Sequence, residues 1–309
     1  MTKALLFSGQ GSQYVGMGRD VCEQLPAVEE LFERADMQLG YSITGIMFDG
    51  PEDTLKETRN TQPALFVHEA ALLEATGLHK NADALAGHSL GEYTALYAAG
   101  VLSFADALAL VRLRGTLMYD EGLRIPGTMA AVVGLTDEQV VELCSTLNEG
   151  GEKIIVPANF NSPGQIVISG SAEYLRASLP QFKAAGAKIV KELAVSGAFH
   201  SPLLQGASVA LSEALDNTPF NNARCDVYVN VSGEPMRDGS ALREAAKKQL
   251  TSPVQWTQTL LAMKADGLTE FIEVGPGSVL QGLVKRTLTD VVMQGVDKIA
   301  DVQRLNALA

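Results

Sequence analysis

Only three cysteines occur among 309 residues, Cys22, Cys144 and Cys225. They are odd in number, far apart and free of C-x-x-C spacing, which excludes a disulfide framework and a cysteine zinc site. The four histidines, His68, His79, His88 and His200, form no H-E-x-x-H pattern, so no metal is expected. No apolar run approaches the roughly 20 residues that span a bilayer. The opening Met1–Phe7 meets Ser8-Gly9 too soon for the apolar region of a signal peptide, and the expected location is the cytoplasm, with no membrane partner. Basic residues are in deficit, 24 Lys+Arg against 36 Asp+Glu, for a net charge of −12. Phosphate backbones need clustered Lys and Arg, so nucleic acid is excluded as the main partner. Repeats, low-complexity linkers and coiled-coil heptads are also missing, and a monomer is expected. What remains is a globular composition, 46% hydrophobic and 19% charged, in a length of about two structural units.

The chain alternates strand and helix signals, the mark of an α/β sheet covered on both faces. Residues 4–7 read as a buried strand, followed by a loop with Gly9, Gly11, Gly16 and Gly18. Helical spacing covers 20–39 and 61–76, the latter with Pro63 in its first turn. Ala82–Ala86 reads as a strand, Leu90–Ala99 as a helix ended by Gly100, and Ser103 opens another helix through a capping box with Asp106. The middle then changes rhythm: strand 128–134, a helix 136–147 with a Thr136/Gln139 capping box, strands 154–158 and 165–170, helix 171–186, and strand 187–195. The order β-α-β-β-α-β is the ferredoxin-like signature. Residues 125–195 are therefore expected to form a small domain inserted into a large one made of 1–124 and 196–309. In the latter, Asp226–Val231 and Glu270–Val274 are further strands.

The strongest chemical signal is Gly87-His88-Ser89-Leu90-Gly91, a G-x-S-x-G between a strand and a helix. Such a turn strains the middle residue, exposes its hydroxyl and leaves the next N–H free for an oxyanion; the alternative is a glycine-rich turn with an incidental serine. A serine needs a base. His88 is adjacent to Ser89, and neighbouring side chains at a sharp elbow point apart. His68 lies within a helix, and His79 follows a helix end and is expected to be exposed. His200 sits in a loop after the last small-domain strand, where it could take the Ser89 proton as a neutral imidazole near its operating pH. No Asp or Glu stands out as a third member, so a backbone carbonyl or an amide is the candidate orienting group. The loop at 9–18 lacks both G-x-G-x-x-G spacing and a P-loop lysine. It reads better as a source of backbone N–H donors than as a nucleotide loop, with a plain turn equally open. Arg114, beside Gly115, has the fork for a carboxylate, although on residues alone a surface ion pair is its ordinary role.

These residues sit within a longer series of blocks. Ser8–Gln13, Gly87–Tyr93, Arg112–Gly115, Asn159–Gln165, Val195–His200, Pro253–Trp256 and Glu273–Gly277 occur in order, and together the chain resembles the malonyl-CoA:acyl carrier protein transacylases of bacterial fatty-acid synthesis. The resemblance implies an α/β-hydrolase-like large domain with a parallel sheet core and the ferredoxin-like insertion. It implies Ser89 as acylated nucleophile, His200 as base, the N–H groups of Gln10 and Leu90 as oxyanion hole, and the Gln249 main-chain carbonyl as the group orienting His200. Substrate contacts would come from Arg114 to the malonyl carboxylate, His88 near the thioester, Phe199 and Asn161. The implied partners are malonyl-CoA and holo-acyl carrier protein, whose phosphopantetheine is the acceptor, with no cofactor of the enzyme's own. Two departures stand out: Ser8 where the family often has Pro, and Gly197-Ala198 before Phe199-His200 where other versions carry Pro-Ser before the histidine. In related modular synthases, Phe at the position of Phe199 accompanies malonyl, because its ring crowds an α-methyl group. The rival readings are a trans-acting polyketide synthase acyltransferase, a thioesterase or esterase with the same Ser-His site, and a non-catalytic carrier-binding module.

Overall fold

The computed structural model describes residues 2–148 and 153–307. Met1, residues 149–152 inside the expected insertion, and residues 308–309 lie outside the described residues. The strands in chain order are β1 (Lys3–Phe7), β2 (Ala84–Gly87), β3 (Gly127–Val133), β4 (Ile155–Ser162), β5 (Gln165–Ser171), β6 (Ile189–Glu192), β7 (Asp226–Tyr228), β8 (Pro235–Met236), β9 (Glu270–Val274) and β10 (Val292–Val296).

Six strands form one sheet in the order β10-β9-β1-β2-β7-β8, parallel except for the short antiparallel β8. The other four form a separate antiparallel sheet, β4-β5-β3-β6. Ala4 to Phe7 of β1 are all fully buried, as a central parallel strand requires when helices cover both faces. Register brings Phe7 beside Gly87 and Val274, so the ends of β1, β2 and β9 coincide. Ligands of open parallel sheets collect beyond these carboxyl ends. The antiparallel sheet leans on this edge: Phe160 N–H donates to the Val254 carbonyl (2.9 Å) and Val254 N–H to the Ala158 carbonyl (2.8 Å).

The β-α-β-β-α-β order of the middle segment holds, with helices Asp137–Leu147 and Ala172–Ala184, and the Thr136/Gln139 capping box is complete. Several boundaries differ from expectation. The helix expected over 20–39 is broken into Arg19–Cys22 and Pro26–Leu39 because Pro26 restarts it. The helix expected from Thr61 begins at Thr58, so Pro63 lies in its interior and not in its first turn. Burial from Thr61 to Leu73 on every face holds that helix despite the proline. Ser103 accepts from Asp106 N–H, but the Asp106 carboxylate takes the Ser103 hydroxyl, leaving the expected capping box half made.

Candidate active site

Between β2 and the helix Gly91–Ala98 the chain turns within a few residues, and Ser89 sits at the turn with φ of 55°. That left-handed conformation is costly for serine and persists only where the surroundings over-determine it. Asn230 supplies the restraint: its Oδ1 accepts from Ser89 N–H at 2.7 Å and its Nδ2 donates to the Gly87 carbonyl at 2.7 Å. The flanking glycines are obligatory through contact. A Cβ on Gly87 would lie 1.8 Å from the Gly91 carbonyl carbon, and one on Gly91 would lie 2.3 Å from the Phe7 carbonyl oxygen. We predict that Gly91→Ala destabilises the protein by about 1–3 kcal/mol, the usual cost of overpacking, and displaces the serine. A lowered unfolding midpoint together with slower acylation is the expected result; unchanged values of both would contradict it.

All but Gln249 of the residues selected from the sequence border one cavity of about 250 Å³. Ser89 Oγ lies 2.7 Å from His200 Nε2. His200 Nδ1 faces two main-chain carbonyls, Gln249 at 3.0 Å and Ser252 at 3.1 Å, which fixes the proton on Nδ1 and leaves the Nε2 lone pair toward the serine. His200 also has φ of 55° and is 3% exposed. Burial, then the Arg114 charge, push its pKa down to about 3, so it is neutral well below the usual imidazole range. This differs from the near-neutral value expected from sequence, which carried no sign of so dry a site or of a neighbouring cation.

Arg114 is not the surface residue that its sequence context favoured. It is 1% exposed and makes no carboxylate ion pair among the described residues. Its guanidinium donates to Gln62 Oε1 (2.9 Å), Gln249 Oε1 (2.9 Å) and Ser89 Oγ (3.0 Å), while Nε finds no partner. A buried cation whose hydrogen-bond partners are all neutral, with the buried Glu92 carboxyl acting on it only at longer range, is costly, and a carboxylate entering the cavity relieves that cost. Gln249 therefore does two things: its carbonyl holds His200, and its amide holds Arg114 and donates to the Ser89 carbonyl at 2.9 Å.

Neither the Gln10 nor the Leu90 N–H has an acceptor among the described residues. Both border the cavity beside the serine, the arrangement an oxyanion hole needs. His88 bonds Asn161 Oδ1 through Nε2 at 2.8 Å, its ring edge-on to Trp256. Phe199, 5% exposed, forms part of the wall. The remaining histidines lie elsewhere: His68 is fully buried against Asp297 (3.0 Å), and His79 is half-buried, not exposed as expected, because it packs into a 3-10 turn after the helix Thr58–Thr76. Sequence reasoning missed Asn230, Ser252 and Gln62, which carry no motif of their own. Among the described residues no group of three or more His, Cys, Asp or Glu could hold a metal ion, and no helix is long and apolar enough to cross a membrane.

Residues 4–306 match the family described as acyl transferase domain. The chain belongs to the acyl transferase family. Among the family's curated members it is 42% identical, over 92% of its own length and 89% of the relative's, to the malonyl CoA-acyl carrier protein transacylase of Bacillus subtilis (strain 168). It is 41% identical, over 98% of both chains, to the protein of that name from Staphylococcus aureus (strain MSSA476). Among solved structures of the family, an acyl carrier protein S-malonyltransferase from Vibrio cholerae O1 superposes with a TM-score of 0.93 at 38% identity, covering 100% of each chain. A malonyl-transacylase solved in complex with a type II polyketide synthase acyl-carrier protein gives 0.94 at 36% identity, again over 100% of each.

Proposed function

We propose that this acyl transferase moves a malonyl group from malonyl-CoA to the phosphopantetheine thiol of holo-acyl carrier protein, the loading step of fatty-acid synthesis, through a malonyl-Ser89 intermediate. The observation that carries the reading is Arg114, a buried guanidinium with no carboxylate partner, 3.0 Å from the nucleophile. An esterase for uncharged acyl groups has no use for such a group. Ser89 Oγ attacks the thioester carbonyl as its proton passes to His200 Nε2. The oxyanion receives the N–H groups of Gln10 and Leu90, one such donor being worth about 3 kcal/mol in the transition state. The C–S bond breaks, CoA leaves as the thiol with the proton from His200, and the malonyl ester of Ser89 remains. The pantetheine thiol then gives its proton to His200, attacks the ester, and Ser89 recovers its proton. His88, oriented by Asn161, and Phe199 shape the acyl end of the pocket, with the Phe199 ring against the space of an α-methyl substituent.

The reading keeps CoA and phosphopantetheine as parts of the substrates, with no cofactor of the enzyme's own, and the chain as a monomer in the cytoplasm without nucleic-acid or membrane partners. The large unit, 1–124 with 196–309, is taken as α/β-hydrolase-like. The unit 125–195 is taken as a ferredoxin-like insertion, supported by its strand order β4-β5-β3-β6. A carrier protein is itself acidic, so a chain of charge −12 needs a local basic surface. Of the candidates Lys183, Lys188, Lys191, Lys285 and Arg286, the last two stand on the helix Val279–Thr287. That helix borders the cavity, and Arg286 bonds Gln165 at its wall. Reversing both charges is expected to raise the KM for holo-carrier protein several-fold while acylation by malonyl-CoA is unchanged; unaltered carrier kinetics would remove this patch. The reaction itself is tested by supplying malonyl-CoA with and without holo-carrier protein. Transfer to the carrier thiol is expected, whereas release of free malonate at the same rate with or without carrier would make the protein a hydrolase.

A further inference from the structure

Glu69 takes no part in the chemistry above, yet it is fully buried and its partners are the hydroxyls of Ser8 and Thr94 and the Ser8 backbone N–H, with no cation. It stands on the helix Thr58–Thr76. Its Oε1 is hydrogen-bonded to Ser8 Oγ at 2.8 Å, and its Oε2 to Thr94 Oγ1 at 2.5 Å. Ser8, itself fully buried, lies two residues before Gln10; Thr94, also fully buried, lies four after Leu90 on the helix that begins at the elbow. One carboxyl thus joins the two segments whose free N–H groups belong to residues bordering the cavity beside the serine. The loop after β9 closes over the junction: a Cβ on Gly275 would lie 2.4 Å from Ser8 Oγ and 2.8 Å from Glu69 Oε1. Burial pushes the Glu69 pKa up to about 8, so the group is uncharged at neutral pH and can stay in a dry core; in that form one of its oxygens carries the proton and donates to the hydroxyl it faces, while the other accepts. An apolar residue would fill the same space without hydrogen bonds to satisfy, which gives the carboxyl a purpose beyond packing.

We propose that Glu69 is a positioning residue of the oxyanion hole, its carboxyl clamping through Ser8 and Thr94 the two segments that present the Gln10 and Leu90 N–H groups. The clamp rests on the proposed reading of those two groups as oxyanion donors. It acts on the transition state, because the separation of the donors matters only when the oxyanion forms.

The test is the single-turnover rate of CoA release from malonyl-CoA in Ser8→Ala, Thr94→Val, their double variant and Glu69→Gln. Each single cut is expected to slow acylation about tenfold with the half-saturating malonyl-CoA concentration unchanged, since small misplacements of preorganised donors cost that much or more. The double variant is expected to be no slower than either single one, because both arms act through one carboxyl. Glu69→Gln keeps an oxygen for Ser8 and an amide for Thr94 Oγ1 to accept from, and is expected to stay within about threefold of the wild type. Variants with lowered unfolding midpoints but wild-type acylation rates would show a structural role alone and overturn the clamp. So would a loss confined to malonyl-CoA affinity, or two single effects that multiply. A wild-type protein that forms no malonyl adduct would instead refute the proposed function; an adduct formed equally fast in all the variants refutes only the clamp.

Discussion

His200→Ala is expected to slow acylation of Ser89 by malonyl-CoA about 10³-fold, within the range a general base supplies. The geometry leaves the serine no other base. Nε2 stands 2.7 Å from Oγ, and the carbonyls of Gln249 and Ser252 hold Nδ1–H so that the lone pair faces the hydroxyl. His88 is committed to Asn161. The same environment sets the pH dependence. With its folded pKa lowered to about 3, His200 is already the free base throughout the mildly acidic range. The kcat/KM profile for malonyl-CoA is therefore expected to show no acid limb near pH 6.5, and a limb centred there would contradict the account. Once a substrate carboxylate pairs with Arg114, part of the charge that depresses His200 is cancelled. The acid limb of kcat is then expected at higher pH than that of kcat/KM.

Arg114→Ala is expected to lower malonyl loading about 10²-fold or more, while acetyl loading changes little and the preference for malonyl collapses. Removing one partner of a buried charge pair costs 2–5 kcal/mol, much of it from leaving the other charge unpaired. In the free protein that charge is the arginine itself, hydrogen-bonded to Gln62, Gln249 and Ser89 Oγ but, among the described residues, in direct contact with no carboxylate. Malonyl-CoA supplies the missing partner and acetyl-CoA does not. Arg114→Lys should recover only part of the loss, because an ammonium cannot reproduce the planar fork. Competition between malonyl-CoA and acetyl-CoA for a limiting amount of enzyme reads the ratio directly; an unchanged ratio in Arg114→Ala would take the arginine out of the clamp.

The site was legible where the chemistry writes itself into a short segment. Gly87-His88-Ser89-Leu90-Gly91 announces an elbow because a Cβ at either glycine would strike backbone, and the strand and helix around it follow from apolar spacing. The middle sheet was legible for a similar reason: its strands and helices alternate at close range, and the cap at Thr136 marks a helix start. His200 could be reached by elimination among four histidines. Arg114, Asn230 and Ser252 could not be read locally. Their surroundings are assembled from segments 25 to 141 residues apart, so the helix carrying Arg114 shows no trace of the Gln249 and Ser89 groups that bury it. The edge strand β10 escaped notice because Gln294 and Gly295 interrupt its apolar run, and β8 is only two residues long. Ser8 looked like the loss of a stiff proline, whereas its hydroxyl is fixed to Glu69.

The central claim is a covalent malonyl ester on Ser89, and intact mass of the purified protein mixed with malonyl-CoA, without a carrier protein, tests it most directly. The account predicts a gain of one malonyl group in the wild type, no gain in Ser89→Ala, and only a faint adduct when acetyl-CoA replaces malonyl-CoA. An unmodified wild-type mass with no CoA released, or an adduct that persists in Ser89→Ala, would contradict it.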